Sequence, residues 1–410
     1  MATAGREFFT VKTVSQALTE FRPDHRTGIE AVALESAWGR IPAGDLSARE
    51  ALPGFDRSSV DGYAIRARDT FGASEAIPAY VRVVGSVRMG AIAEDRVGSE
   101  TAVAVPTGGM LPDGADAVVM IEHTQQATTG TVEVVRPVAP GENVVRNDED
   151  VAVGATIVSG GRPLRAQDVA MLAASGVVQV AVHEAPRVTI LATGDEVVAP
   201  ATQTLAPGQV RDALSASIGA LVTEAGGVPA PPMIVGDDRH ALHQALSDAV
   251  ADSDFVVICA GSSVGGRDET AAAVAALANS ETWCHGLAIK PGKPTLLARA
   301  GAIPIIGLPG NPRSALVIFR LIGMPLLRRV GGWTVEHRPG GVSARLSRDL
   351  PSAAGRLDVV QVSLRQGLAE PIFGPSALLS VLTAADGYLI IPEDANGLSA
   401  GEAVDVIVYG

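Results

Sequence analysis

Four segments in the second half of the chain carry unusual polar composition directly after apolar runs. They are Thr193-Gly194-Asp195-Glu196, Gly236-Asp237-Asp238, the stretch from Gly261 to Asp268, and Pro309-Gly310-Asn311-Pro312. Lys290-Pro291-Gly292-Lys293-Pro294 makes a fifth. If these loops share one rim, Asp195, Glu196, Asp237, Asp238 and Asp268 repel one another unless some protonate or a cation sits among them. Hard oxygen donors suit Mg²⁺, which would bridge them to a phosphate. The Gly261–Gly266 loop can aim backbone N–H groups at an anion, with Ser262 and Ser263 as added donors. Lys290 and Lys293 flank a rigid turn and would neutralise a phosphate as point charges. Each feature also has an ordinary explanation. The glycine loop is a turn before a helix capped by Asp268, and the lysines are a solvated pair. Of Asp237 and Asp238, one caps the helix that follows and the other is free. Asn311-Pro312 reads as an N-cap followed by proline at the first helical position, with Pro309-Gly310 as pocket wall. His240 and His243 lack a third ligand nearby and are read as surface residues.

The elements that must position these groups follow from hydrophobic spacing. Thr13 and Gln16 have capping-box spacing before Val14, Ala17, Leu18 and Phe21, which share a helical face. From Leu52 to about Val145 the chain breaks into short β-rich pieces between Gly, Pro and Asp turns, predicting an inserted β module. There Asp61-Gly62, within Asp56–Ala64, reads as a hairpin turn. A helix is predicted over Ala166–Ser175, ending at Gly176 and packing with the N-terminal helix. From residue 187, buried strands alternate with amphipathic helices, as in an open, mostly parallel α/β sheet; such sheets bind ligands beyond the carboxyl ends of their strands. Short strands return after Gly331-Gly332. The expected organisation is a multidomain α/β plus β chain. Residues 1–50 with 146–185 form a discontinuous helical/β N-terminal domain, 51–145 the β-rich insert, 186–331 the central α/β domain and 332–410 a small β domain.

Composition narrows the function classes. Of 410 residues, 45 are acidic and 32 basic, a net charge of −13 that repels polyanions over most of the surface. Aromatic residues make up only 4%, too few for a base-stacking platform, so nucleic acid is not an expected partner. Cys259 and Cys284 have no paired motif, which argues against a disulfide framework or thiolate zinc site. The absence of a long apolar run argues against membrane insertion. A soluble cytoplasmic protein is expected.

Taken together, the motifs DRSSVDGYA (Asp56–Ala64), PTGGMLPDGADAVVMIE (Pro106–Glu122), GENVVRNDEDV (Gly141–Val151), PRVTILATGDEV (Pro186–Val197), AGSSVGGRD (Ala260–Asp268), KPGKP (Lys290–Pro294) and GLPGNPRSAL (Gly307–Leu316) make the chain resemble the molybdopterin molybdenumtransferase family. Its bacterial members are called MoeA, and its animal relative is the C-terminal part of gephyrin. The resemblance spans nearly the whole chain. It implies an elongated homodimer with four domains per subunit, the third a molybdopterin-binding α/β domain and the fourth a small β-barrel. It also implies a reaction in which adenylylated molybdopterin receives molybdate and AMP is released, with Mg²⁺ or a similar divalent cation as cofactor. Asp61, Thr107, Arg146, Asp150, Glu196, Asp237, Asp268, Lys290, Pro309 and Pro312 match the family's active cleft. In the resulting assignment Asp61, Glu196 and Asp268 are catalytic, and Glu196, Asp237 and Asp268 hold the metal. Lys290, Lys293 and the Gly261, Ser262, Ser263 and Gly265 loop hold pterin phosphate, while Asp61, Thr107 and Arg146 complete the molybdate side.

Three segments depart from the family pattern. Ser262 stands where a glycine is usual, Asp212-Ala213-Leu214 lacks two polar groups, and Arg146-Asn147-Asp148-Glu149-Asp150 lacks one basic residue and one glycine. An insertase therefore stands beside two alternatives. One is a catalytically weak scaffold organising another protein; the other, an adenylyltransferase, fits less well because the related single-domain enzymes lack the flanking domains. For the insertase, a molybdopterin adenylyltransferase is the candidate protein partner.

Overall fold

A computed structural model describes residues 11–259, 264–335 and 340–409, with the side chains of 264–268 left aside. The first helix, Val14–Glu20, carries the expected capping box: Thr13 Oγ1 accepts from the Gln16 N–H at 3.1 Å and Gln16 Oε1 from the Thr13 N–H at 3.0 Å. Its packing differs from expectation. Val14, Ala17 and Phe21 join the core of the α/β unit, whereas Leu172 of the helix Ala166–Ala174 packs with Leu34, Val158 and Val182. The cause lies just upstream, where Lys12 exchanges backbone bonds with Gly286 and Ala288 and ties the start of the chain to the α/β unit. The second helix belongs instead to a small unit in which strands Ile29–Ala33 and Gln179–His183 pair antiparallel.

The insert is a six-stranded sheet ordered 117–120, 62–65, 101–105, 79–86, 131–134, 124–128. Asp61-Gly62 is not a hairpin turn. Gly62 opens the strand Gly62–Ile65, which is paired on both sides, with Thr101–Val105 and Ala117–Met120. A Cβ at Gly62 would collide with the Val119 carbonyl oxygen, so glycine is required here by close backbone approach.

The α/β sheet runs 228–229, 187–193, 255–259, 303–308, 296–300, 280–285, with 233–235 also on 187–193; the first strands are parallel and the last two pairings antiparallel. Period-two alternation gives the sheet two buried faces. Val188, Ile190, Phe255, Val257 and Ile306 meet the helices Leu214–Glu224 and 312–330. Leu191, Val256, Ile258 and Ile305 meet Arg239–Asp252 and Val264–Ala275. The C-terminal strands 357–365, 368–371, 341–346, 403–408 and 387–391 close into a five-stranded barrel. Val362, Leu389, Ile391 and Val406 fill its interior. The outward Val359 and Tyr388 enter the α/β core, with Ile390, Ile407 and Tyr409 packed against it. The barrel and the sheet therefore share one apolar seam.

Among the described residues, Asp168 is a carboxylate paired with two arginines at once. It is 5% exposed and takes hydrogen bonds from Arg162 Nη1 and Nη2 at 2.5 and 2.9 Å, and from Arg165 Nε at 3.0 Å. The two guanidiniums, Arg162 first, hold its carboxyl well below the usual carboxylate range. A depressed pKa gives stability that is present above the unfolded value, about 3.9, and is lost as pH falls through the folded value. Asp168→Asn should lower stability at pH 7 by about 2–3 kcal/mol, allowing for the partly exposed arginines, as measured by urea unfolding. The difference from the parent protein should narrow as pH is taken well below about 4.

Candidate active site

Three insert motifs converge on one surface. Ser58 and the 108–109 turn exchange backbone bonds of 2.8 and 2.9 Å, and Leu111 N donates to Asp56 O at 2.8 Å. This lacing brings Asp61 to Thr107: Asp61 Oδ1 accepts from the Thr107 N–H at 2.7 Å and from its hydroxyl at 3.1 Å, both residues being exposed. Arg146 Nη1 pairs with Asp56 Oδ2 at 2.7 Å, and the Asn147 N–H donates to Asp56 Oδ1 at 2.7 Å. The Asn147 bond first, with Arg146 adding to it against desolvation, holds the Asp56 carboxyl below its ordinary value. Arg146 is thus engaged by a carboxylate on the insert, and the Asp150 N–H donates to Leu52 O.

The acidic rim forms at the carboxyl ends of strands 187–193 and 233–235. Gly194 has φ +137°, and its missing side chain leaves the space that the Glu196 carboxylate occupies: a Cβ there would lie 2.6 Å from Glu196 Oε2. Asp195 Oδ1 accepts from the Asp237 N–H at 3.0 Å. Asp238 is the N-cap, accepting from the Ala241 N–H at 2.7 Å, which leaves Asp237 as the free carboxylate. Desolvation first, then the Asp195 charge with Glu196 and Glu269 beside it, raise the Asp237 carboxyl above its ordinary value; a backbone bond from Asp195 opposes them. Among the described residues no three His, Cys, Asp or Glu side chains are arranged to hold a metal. Gly261, Ser262 and Ser263 lie outside the described residues. The helix that follows begins at Val264, so Gly265 sits in its first turn and Asp268 lies inside it rather than at the cap. Its side chain is outside the described set.

The third group is a cavity of about 630 Å³ between the sheet edge and the barrel. Lys290, Lys293 and Pro309 line it as expected, joined by Arg313, Arg356 and Ser376. Lys290 ends a short strand that pairs in parallel with Leu357 and Asp358 of the barrel, and the Thr295 hydroxyl locks the turn by donating to Gly292 O at 2.7 Å. Pro312 opens its helix and is not among the lining residues; Asn311, expected to cap with its side chain, makes no such bond and lines the cavity instead. No carboxylate lines it among the described residues. Arg356 is matched by Asp358, 2.8 Å away and 5% exposed, while Lys290 and Lys293 have no ion pair there. Arg313 lies inside the Gly307–Leu316 motif but was not singled out there, because its neighbours Asn311 and Pro312 read as the start of a helix; Arg356 and Ser376, contributed by the barrel side, are single residues outside any quoted motif.

Asp212 and the two cysteines lie apart from these groups. Asp212, in the segment with fewer polar groups, is buried and accepts from the Leu214 and Ser215 N–H groups at 3.0 Å each, starting a helix. Both cysteines are buried and free, and burial raises both thiols, Cys284 to about 11, so neither offers a thiolate near neutrality.

The three groups are separate in position. Carboxylates sit at the ends of strands 187–193 and 233–235, cations at the end of 303–308, and 255–259 lies between in the sheet. Asp61, Thr107, Arg146 and Asp150 belong to the insert and its base, with no hydrogen bond or ion pair to either group among the described residues.

A doubly wound α/β sheet joined by a small insert and a five-stranded barrel, with a cationic cavity between sheet and barrel, defines a multidomain α/β plus β protein. Residues 10–176 match the MoeA N-terminal region (domain I and II), 189–329 a probable molybdopterin binding domain and 343–409 the MoeA C-terminal region (domain IV). The chain is 33% identical over 383 residues to molybdopterin molybdenumtransferase 2 of Mycobacterium tuberculosis, covering 92% of this chain and 94% of that one. It is 31% identical over 389 residues to the molybdopterin molybdenumtransferase of Bacillus subtilis, covering 92% and 89%. The crystal structure of a molybdopterin biosynthesis moeA protein from Pyrococcus horikoshii OT3 superposes with a TM-score of 0.85 at 33% identity, covering 97% of this chain and 100% of that one. The chain belongs to the MoeA family.

The Glu196 charge contributes to the raised carboxyl of Asp237. Glu196→Gln should therefore lower the Asp237 pKa, read from the carboxyl carbon shift in an NMR titration; an unchanged value would show that the two carboxylates act independently.

Proposed function

We propose that this protein is a molybdopterin molybdenumtransferase, which transfers molybdate to adenylylated molybdopterin with release of AMP. The observation that carries the reading is the cavity: four cations and no carboxylate among its described lining residues, in a chain of net charge −13. An acidic protein concentrates positive potential in one place to hold an anion that the rest of its surface repels. The volume, within the usual range for small-molecule sites, accommodates an oxyanion with part of an organic body. Lys290 and Lys293 would bind the oxyanion from one wall and Arg356 from the barrel side. The rigid turn locked by Thr295 keeps the lysines in place before the ligand arrives.

A divalent cation belongs to the proposal. The raised Asp237 carboxyl, on an exposed residue, reflects partial desolvation and like charges that a cation would relieve, and all the donors are oxygen, which suits Mg²⁺. Glu196 and Asp237, with Asp268, would hold it; when bound it supplies charge neutralisation to the phosphoanhydride. Asp61, fixed by two hydrogen bonds from Thr107, would face the ligand from the insert.

The proposed organisation is the four-part division 1–50 with 146–185, 51–145, 186–331 and 332–410, assembled as a homodimer. In it the insert of one subunit completes the site on the α/β unit of the other. No helix among the described residues is long and apolar enough to cross a membrane, and we place the reaction in the cytoplasm, supplied by a molybdopterin adenylyltransferase.

The direct test is an assay with purified components. AMP release from adenylylated molybdopterin should depend on molybdate, fall by about a hundredfold in Lys290→Ala, and be lost after rigorous chelation and restored by Mg²⁺. AMP release indifferent to molybdate would refute the assignment. The dimer has its own test: Asp61→Ala and Glu196→Ala homodimers should each be nearly inactive. A refolded equimolar mixture should regain about a quarter of parental activity, because half its dimers are mixed and each has one intact site. No recovery in a mixture shown to contain mixed dimers would place both carboxylates in one subunit's site.

A further inference from the structure

The cations of the cavity are held in different ways. Arg356 is neutralised by Asp358, and Lys290 and Lys293 are exposed to solvent. Arg313, in the first turn of the helix Pro312–Ile318, is half-buried and has no ion pair among the described residues. Its Nη1 donates to Gly374 O at 2.8 Å, and its backbone N–H donates to Ser376 O at 3.2 Å. Gly374, Pro375 and Ser376 form the wall of the cavity contributed from the barrel side. The Arg313 Nε is buried with no hydrogen-bond partner. Burial also holds the guanidinium's pKa below the ordinary arginine value, a sign that its charge is poorly solvated.

A planar guanidinium offers five donors in a fixed fork, well matched to a tetrahedral oxyanion. Here the protein supplies one carbonyl to that fork and no counter-charge. We propose that Arg313 contacts the oxyanion in this cavity through the guanidinium edge that Gly374 leaves free, and that it sets the cavity's preference for a doubly charged tetrahedral anion. The inference rests on the cavity being the oxyanion site. With Arg356 already matched, Arg313 brings the uncompensated cations to three, and each added charge favours a dianion over a monoanion of the same shape. Because the same residue holds the wall, by its side chain at Gly374 and by its backbone N–H at Ser376, the anion and the wall share one anchor.

The test uses the whole chain, with molybdate and inorganic phosphate as probes and perchlorate as the tetrahedral monoanion control. Molybdate affinity, from calorimetric titration, should fall about tenfold or more in Arg313→Gln, which keeps a donor for Gly374 O but removes the charge, and less in Arg313→Lys. The preference for molybdate and phosphate over perchlorate should fall with it. A positional readout that survives any loss of stability is the ¹⁵Nε signal of Arg313 in the parent protein, which should shift on adding molybdate. Binding within about twofold of the parent in Arg313→Gln, together with an unmoved Nε signal, would remove Arg313 from the anion site. If Lys290→Ala then abolishes binding, the cavity reading stands without Arg313; if Lys290→Ala and Lys293→Ala also bind as the parent does, the cavity reading itself fails.

Discussion

Four like charges gathered round one cavity oppose their own assembly. At an effective dielectric constant near 20, two cations about 8 Å apart repel by about 2 kcal/mol, and only one of the four has a carboxylate beside it. The arrangement persists because none of the four sits on an independent arm. Lys290 and Lys293 belong to a turn locked by Thr295, Arg313 to the first turn of a buried helix, and Arg356 to the residue that precedes the barrel's longest strand. The apolar seam between sheet and barrel drives these four backbones together, and the charges come with them.

Along the same sheet edge the electrostatics reverse. Glu196 and Asp237 stand beyond strands 187–193 and 233–235, and the cavity lies past 303–308. One end of this edge therefore attracts cations and the other anions. The parallel order of the strands is what places both signs on the same side, because helix starts and loops gather at the carboxyl ends.

Most of this layout was legible in the residues. The capping box at Thr13, the β-rich insert, the helix near Ala166 and the alternation of strands and helices from residue 187 follow from local chemistry and period, and appear where expected. Lys290 and Lys293 stand in a compact motif and line the cavity, while Asp61 and Thr107, singled out through the family resemblance, are joined by hydrogen bonds. What escaped notice is tertiary. Nothing in the spacing of Val14, Ala17 and Phe21 says which core receives them. Asp61-Gly62 has the composition of a turn, and only pairing on both sides of Gly62 makes it a strand entrance. Arg313 and Arg356 are 43 residues apart, and the cavity between them exists only after the barrel docks. Arg146 had the right type for an anion ligand, but Asp56, ninety residues earlier, already engages it.

The seam has a consequence for how the molecule comes apart. Val359 and Tyr388 of the barrel are buried in the same cluster as Ile190 and Phe319 of the α/β unit, so neither can be exposed without opening the other. Sheet and barrel form a single cooperative block whose melting is one event. The insert closes its cores on itself, around Val81, Val119 and Val132 on one side of its sheet and Val103, Val105 and Val118 on the other. It is free to lose its order separately, with the cationic cavity still intact on the block that remains.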